Sequence, residues 1–152
     1  MEDISKRSLS MTRMFDAPVE LLWKVLTTPE YIKEWWGPEG FTNTIHKMDV
    51  RVGGKWLFTM HGPDGTDFEN DHTYKELITN ERMVIVNNGV QAFEIIINLT
   101  DKGEQTEIKW QVIFGSVPTM EEAINAFKAD IGLKQNLERL ANHLEHHQQD
   151  LI

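Results

Sequence analysis

The sequence predicts an α+β fold: a bent antiparallel sheet of about six to seven strands, two short helices near the start, and one long C-terminal helix over the sheet's concave face. Three observations predict it. Between Phe41 and Phe114, apolar and polar residues alternate in runs of strand length, which marks a sheet with one buried face. Turn residues separate the runs so closely that consecutive strands must be hairpins, and hairpins make the sheet antiparallel. After Pro118 the apolar period becomes helical and stays so almost to the end. Laying that helix stripe on the sheet's apolar face is the simplest way to bury both.

Arg7 to Phe15 reads as the first strand, stopped by Asp16-Ala17-Pro18. Pro18 suits the first turn of a helix, where its missing N–H has no partner to lose. Val19, Leu22, Trp23 and Leu26 recur on one helical face. Thr28-Pro29 opens a second short helix, with Thr28 as its N-cap, and Gly37-Pro38 ends it after Tyr31, Ile32 and Trp35. Phe41 to Val50 is a strand, followed by a Gly53-Gly54 turn. Trp56, Phe58 and Met60 then alternate with Leu57, Thr59 and His61. Gly62-Pro63-Asp64-Gly65 is a strong hairpin signal.

Strands Phe68 to Ile78 and Met83 to Asn87 lead to a turn at Asn87-Asn88-Gly89. Phe93, Ile95, Ile97 and Leu99 share a face of the next strand. Asp101 to Glu104 turns the chain, and Ile108, Trp110, Val112 and Phe114 share a face of the last. Thr119 and Glu122 form a capping-box pattern at the start of the long helix. Its stripe runs through Met120, Ala123, Ile124, Phe127 and Ile131, then Leu133, Leu137, Leu140, Ala141 and Leu144. A helix from Met120 to about His146 would span about 40 Å, enough to cross a whole sheet.

The 152 residues fit one domain, 1–152, long enough to bury a core without staples. The absence of cysteine excludes disulfides and thiolate chemistry. No apolar run at the start reads as a signal peptide, and none elsewhere has the ~20 residues of a membrane helix, so a cytoplasmic location without membrane insertion is expected. A net charge of -9 with no basic cluster longer than Lys6-Arg7 argues against nucleic acid as a partner. Gly53-Gly54 lacks the rest of a phosphate-binding loop, so no nucleotide cofactor is expected.

Several motifs fall together in order: Phe15-Asp16-Ala17-Pro18, Trp23, Thr28-Pro29-Glu30, the run Trp35-Trp36-Gly37-Pro38-Glu39-Gly40-Phe41, the run from Asp49 to Trp56, and Gly62-Pro63-Asp64-Gly65. In order and spacing they resemble the family named for the activator of the heat shock protein 90 ATPase, within the START-like (SRPBCC) superfamily. The resemblance runs from about Leu9 to Leu144. In the last helix Gly132-Leu133 stands where relatives often carry Gly-Trp. The resemblance implies the helix-grip (START-like) fold. It also implies a cavity between long helix and sheet, which in relatives takes hydrophobic small molecules. It does not imply one function, because the superfamily includes lipid carriers, hormone receptors, pollen allergens, polyketide cyclases and a co-chaperone domain.

The inner sheet face is the main candidate site. Trp56, Phe58, Met60, Tyr74, Phe93 and Trp110 either fill an ordinary core or line a ligand cavity. A dry void of ~300 Å³ would cost roughly 7 kcal/mol at ~24 cal/mol per Å³, comparable with a whole domain's stability. Such a void collapses, floods or is kept for a ligand. The leading expectation is therefore a non-catalytic site for an apolar or aromatic small molecule. Trp56, Phe58, Met60, Tyr74, Phe93, Trp110, Phe127 and Ile131 would supply apolar contact and His72 a polar anchor. Gly132 reads either as shaping the cavity mouth or as a point of close packing.

Two other readings stand beside it. One is a chaperone-binding module like the co-chaperone relative, which predicts an exposed apolar patch, as would exposure of both Trp35 and Trp36. The other is a cyclase- or hydrolase-like enzyme with His72 and Tyr74 as its only acid–base candidates. No metal is expected: His143 and His147 are spaced for a shared ion, but a helix C-terminus favours histidine anyway. Asp49 and Arg51, two apart on a strand, read as a structural ion pair.

Overall fold

A computed structural model describes residues 4–88 and 93–151, and describes the side chains of these except for residues 126, 127 and 147–151. Gly89, in the turn expected at Asn87-Asn88-Gly89, lies outside the described residues. A short 3-10 turn, Ile4–Arg7, precedes β1 (Ser8–Phe15), α1 (Val19–Thr27) and α2 (Pro29–Trp35). Six strands follow: β2 (Thr42–Met48), β3 (Lys55–His61), β4 (Asp67–Ile78), β5 (Arg82–Asn87), β6 (Phe93–Asp101) and β7 (Thr106–Phe114). The chain continues through α3 (Val117–Phe127) and α4 (Ala129–Leu151).

The strands form one sheet in the order β1-β7-β6-β5-β4-β3-β2, antiparallel throughout. β2 to β7 is a simple meander, and β1 closes it by pairing with β7, Met11 opposite Trp110. Register shifts between Ile45 and Lys47 and between Tyr74 and Glu76 mark bulges, which add bend and twist. The sheet curves around a core built from Trp56, Phe58, Ile97 and Trp110 on its inner face. Leu22, Val25 and Leu26 of α1, Ile32 and Trp35 of α2, and Leu133, Leu137, Leu140 and Leu144 of α4 fill the core from the other side. This is the α+β helix-grip architecture, with two elements where one long helix is expected.

The expected helix breaks at Lys128, which adopts a left-handed conformation (φ 55°, ψ 43°) with its N–H on the carbonyls of Ala123 and Ile124. The reason is legible in the apolar stripe. Met120, Ile124, Phe127 and Ile131 follow one helical phase, which continues to Lys134 and Glu138. Leu133, Leu137, Leu140 and Leu144 follow another, displaced by two residues. One straight helix cannot bury both. The break aligns α4 on the second phase, so Leu133 is 8% exposed and Ile131 50%.

Helix starts also differ from expectation. Pro18 is the N-cap residue of α1 rather than part of its first turn, and its carbonyl accepts from the Leu21 and Leu22 amides. Thr28 occupies the N-cap of α2, but no side-chain bond caps the helix. α3 begins earlier than the Thr119–Glu122 pattern implies: the Ser116 hydroxyl accepts from the Thr119 amide at 3.2 Å. On α1, Val25 is buried where Trp23 is expected, and Trp23 packs partly buried beside it. The Asp49–Arg51 ion pair is present at 2.7 Å, but in the exposed turn between β2 and β3 rather than on a strand.

Candidate functional site: a cleft between sheet and C-terminal helices

The inner sheet face is not completely covered. At the end away from α1, between the sheet and the α3–α4 junction, lies a cleft of about 290 Å³. Met60 of β3, Asn70 and His72 of β4, Phe93 and Ile95 of β6, and Trp110, Val112 and Phe114 of β7 form its floor, with Leu9 of β1. Ala123 of α3 and Ala129, Gly132, Leu133 and Asn136 of α4 form its roof. The third wall is the segment Trp36-Gly37-Pro38 after α2. Small residues on the roof make the space: a Cβ at Gly132 would stand 3.2 Å from the Pro38 ring. Gly132 therefore both packs closely and lines the cleft, and the backbone break lies four residues before it.

The third wall is held in place by α4. The Arg139 guanidinium donates to the carbonyls of Glu34, Trp36, Gly37, Pro38 and Phe41 at 2.9–3.1 Å. Asn136 accepts from the Gly37 amide at 3.0 Å, and Gln135 from the Glu39 amide at 3.2 Å. Gly37 itself adopts φ +97°, a conformation open to glycine, and a Cβ there would meet the Met60 methyl at 2.6 Å. One turn of α4 thus sets the position of the whole segment.

Trp36 turns inward from this segment into an aromatic cluster. Its ring lies 4.8 Å from Trp56, 5.4 Å from Trp110 and 6.4 Å from His72, centroid to centroid. Trp56 stacks on Phe58 at 4.3 Å, and Tyr74 lies parallel to Trp56 at 6.4 Å. Trp35 is buried with its indole N–H on the Val25 carbonyl. Both members of the Trp35-Trp36 pair therefore serve the interior.

Four of the residues expected at a ligand site line the cleft: Met60, His72, Phe93 and Trp110. Trp56, Phe58 and Tyr74 are buried behind it as packed core. Ile131, expected to face a ligand, points to solvent, because α4 follows the other stripe. The Phe127 side chain lies outside the described residues. Lining residues that the sequence did not mark as site residues include Trp36, Pro38, read there as ending a helix, and the two asparagines, Asn70 and Asn136. Asn136 carried a readable signal: it sits three after Leu133 and one before Leu137, a polar residue on the apolar stripe.

His72 is 1% exposed, with its ring edge-on to Trp56 at 5.2 Å and Phe58 at 5.1 Å. Burial pushes its pKa from 6.5 down to about 4 against the opposing charge of Asp71, so the imidazole is neutral at pH 7. Burial, helped by the charge of Asp49, pushes the Tyr74 phenol above its ordinary value. Its hydroxyl is buried without a hydrogen-bond partner and does not line the cleft. A neutral imidazole and an occluded phenol do not form an acid–base pair on one substrate.

The outer sheet face carries cross-strand polar chains. His61 joins Thr44 through Nε2 and Asp67 through Nδ1, both at 2.7 Å, and Thr59 links His46 to Glu69 at 2.8 Å each. The first chain has the order of a nucleophile, a base and an orienting acid. Its groups stand in open water, with the His61 side chain 36% and Asp67 59% exposed, and ordinary cross-strand pairing accounts for them. A wider depression of about 530 Å³ between α2 and β2 is lined by Glu30, Lys33 and Lys47 among others, and it is a hydrated surface. Among the described residues no three His, Asp or Glu side chains come together as a metal site. Of the pair His143 and His147, whose spacing alone would allow a shared ion, the second side chain lies outside the described residues. No helix of the described residues is long and apolar enough to cross a membrane.

Residues 16–145 match the family model described as activator of Hsp90 ATPase homolog 1-like protein. Among solved structures, the chain is similar to a protein from Arthrobacter aurescens at 20% identity and TM-score 0.87, covering 96% of this chain and 90% of that one. It is similar to protein NE0264 from Nitrosomonas europaea at 21% identity and TM-score 0.85, covering 95% and 98%. An AHSA1-like protein from Aeromonas hydrophila aligns over 95% of both chains at 17% identity and TM-score 0.72. At these identities the likeness concerns the fold. No curated protein matches the sequence.

Proposed function

This chain belongs to the activator of Hsp90 ATPase homolog 1-like family, and from that premise and the cleft we propose that it holds an apolar or aromatic small molecule between the sheet and α3–α4 without transforming it. One observation carries the reading: an apolar cleft of about 290 Å³ lies where helix and sheet would otherwise close on each other. The small residues Ala123, Ala129 and Gly132 keep it open, and its largely apolar lining gives water little to bond to. The proposed contacts are Met60, Phe93, Trp110, Trp36 and Leu133, with His72 and Asn136 as polar groups. Trp56, Phe58 and Tyr74 act from behind, by fixing the floor.

The burial of both Trp35 and Trp36 takes away the surface feature that would have favoured a chaperone partner. Tyr74 is buried and not among the lining residues, which counts against one of the two acid–base candidates.

The test is native mass spectrometry of protein purified from its own cells, with amide shifts on adding flat aromatic and lipid-like molecules. A co-purifying small molecule, or shifts confined to Met60, His72, Phe93, Trp110 and Gly132, is the expected result. Shifts that spare those residues across the whole ligand set would refute the reading.

A further inference from the structure

The geometry points to a ligand class: an uncharged, apolar molecule that presents a hydrogen-bond acceptor oxygen, such as a ketone, ester or quinone carbonyl, to Asn136. This rests on the reading of the cleft as a ligand site and goes one step beyond it.

Asn136 is 7% exposed and lines the cleft. Its amide orientation follows from its neighbour, because the Gly37 backbone N–H only donates, so the atom it meets at 3.0 Å is the Asn136 carbonyl oxygen. The amide nitrogen is on the other branch of the side chain and donates to no described residue. Its two N–H donors are therefore left for whatever occupies the cleft, and an occupant that displaces water without accepting from them leaves them unpaired.

On the sheet side, His72 carries a further N–H that is buried under the cleft floor. The Asn87 amide nitrogen stands 3.4 Å from His72 Nε2, so Nε2 is the acceptor and the neutral ring carries its proton on Nδ1. Nδ1 is buried and has no partner. The acceptors of the adjoining wall are meanwhile occupied, since the carbonyls of Trp36, Gly37 and Pro38 all bind Arg139. Among the described lining side chains, the Asn136 amide supplies the unpaired donors, while Asn70, whose amide nitrogen binds the Phe68 carbonyl, keeps an acceptor oxygen at the floor. Charge completes the selection. Among the described residues no Lys or Arg lines the cleft, and the chain carries -9, so a carboxylate would find donors but no counter-charge.

The probes are three molecules of one shape: 9-fluorenone, fluorene and fluorene-9-carboxylate, titrated calorimetrically into the full chain and followed by amide shifts. Fluorenone is expected to bind about tenfold more tightly than fluorene, the size of one well-made hydrogen bond, with the carboxylate weakest. Asn136→Asp keeps an oxygen for the Gly37 amide and replaces the donor with an acceptor. Within that variant, fluorenone should bind no more tightly than fluorene, so that the ratio between the two falls from about ten to about one. Fluorene binding as well as fluorenone, or the carboxylate binding best, overturns the ligand class and leaves the ligand site standing. A ketone preference that survives Asn136→Asp removes Asn136 from it. Failure of all three to bind removes the site and the class together. The series on the unsubstituted protein decides the class even if the variant does not fold.

Discussion

Arg139 on α4 and Pro38, about a hundred residues earlier in the chain, are joined by a 2.9 Å hydrogen bond from guanidinium to carbonyl, one of five that the same side chain makes to the segment between α2 and β2. Arg139 is thus the main fastening of the cleft wall to the roof, beside the single bonds to Asn136 and Gln135. Arg139→Ala should destabilise the protein by about 3 kcal/mol, since bonds to a charged group are stronger than neutral ones and several carbonyls lose their donor at once. Arg139→Lys should recover less than half of this, because an ammonium is a point charge and cannot reach five acceptors. Urea unfolding of the two variants checks both expectations.

Gly132 and Pro38 form a second fastening. Replacing a helical glycine by alanine ordinarily stabilises by up to about 1 kcal/mol. Here the added Cβ would sit 3.2 Å from the Pro38 Cγ, on a rigid ring whose carbonyl Arg139 holds. Gly132→Ala is expected to destabilise by about 1 kcal/mol in the native background and to stabilise in the Arg139→Ala background, where the segment can give way. A double-mutant cycle reads the coupling directly. Equal effects in both backgrounds would show that the wall is held by something other than Arg139.

Acid should reveal His72. Its pKa is about 4 folded and 6.5 when exposed, so between those values the unfolded chain binds the extra proton. Stability from this group is full above pH 6.5, falls as the pH drops, and levels off below pH 4, a loss of about 3 kcal/mol. His72→Phe removes the titration. The stability difference between the two proteins, measured by urea unfolding at steps from pH 7 to pH 4, should therefore slope through this window and be flat above it. Asp71 opposes the downward shift of His72 through its charge, while its own pKa is lowered, chiefly by the hydrogen bond from Lys55, so its contribution to stability is likewise lost on acidification.

The left-handed residue between α3 and α4 is a lysine. A side chain in that conformation costs about 1 kcal/mol relative to glycine. Lys128→Gly should raise the melting temperature by roughly 2–4 °C in a protein of this size, and Lys128→Val should lower it. No gain from glycine would mean that the break is set by side-chain contacts of Lys128 rather than by its backbone.

Most strands were legible because alternation is a local property. Trp56, Phe58 and Met60 face inward since the pleat allows no other arrangement once one face is buried. The site was less legible. Met60, His72, Phe93 and Trp110 could be read onto the inner face, but the same alternation also selected Trp56, Phe58 and Tyr74, and nothing local separates floor from foundation. Ile131 failed for a different reason. Two helical stripes out of phase were read as one, although the shift from Ile131 to Leu133 was present in the sequence.

What the sequence determined by itself is the fold: the order of strands and helices, the antiparallel meander, and which sheet face is apolar. These follow from periodicity and turn chemistry, which act over a few residues. The tertiary structure alone decided where the sheet is left uncovered. That depends on the break at Lys128, on the small residues of the roof, and on Arg139 and Asn136 reaching across about a hundred residues to hold the Trp36–Pro38 wall. Long-range hydrogen bonds of this kind leave no period in the chain, so a cleft can be located only when the two ends that frame it are brought together.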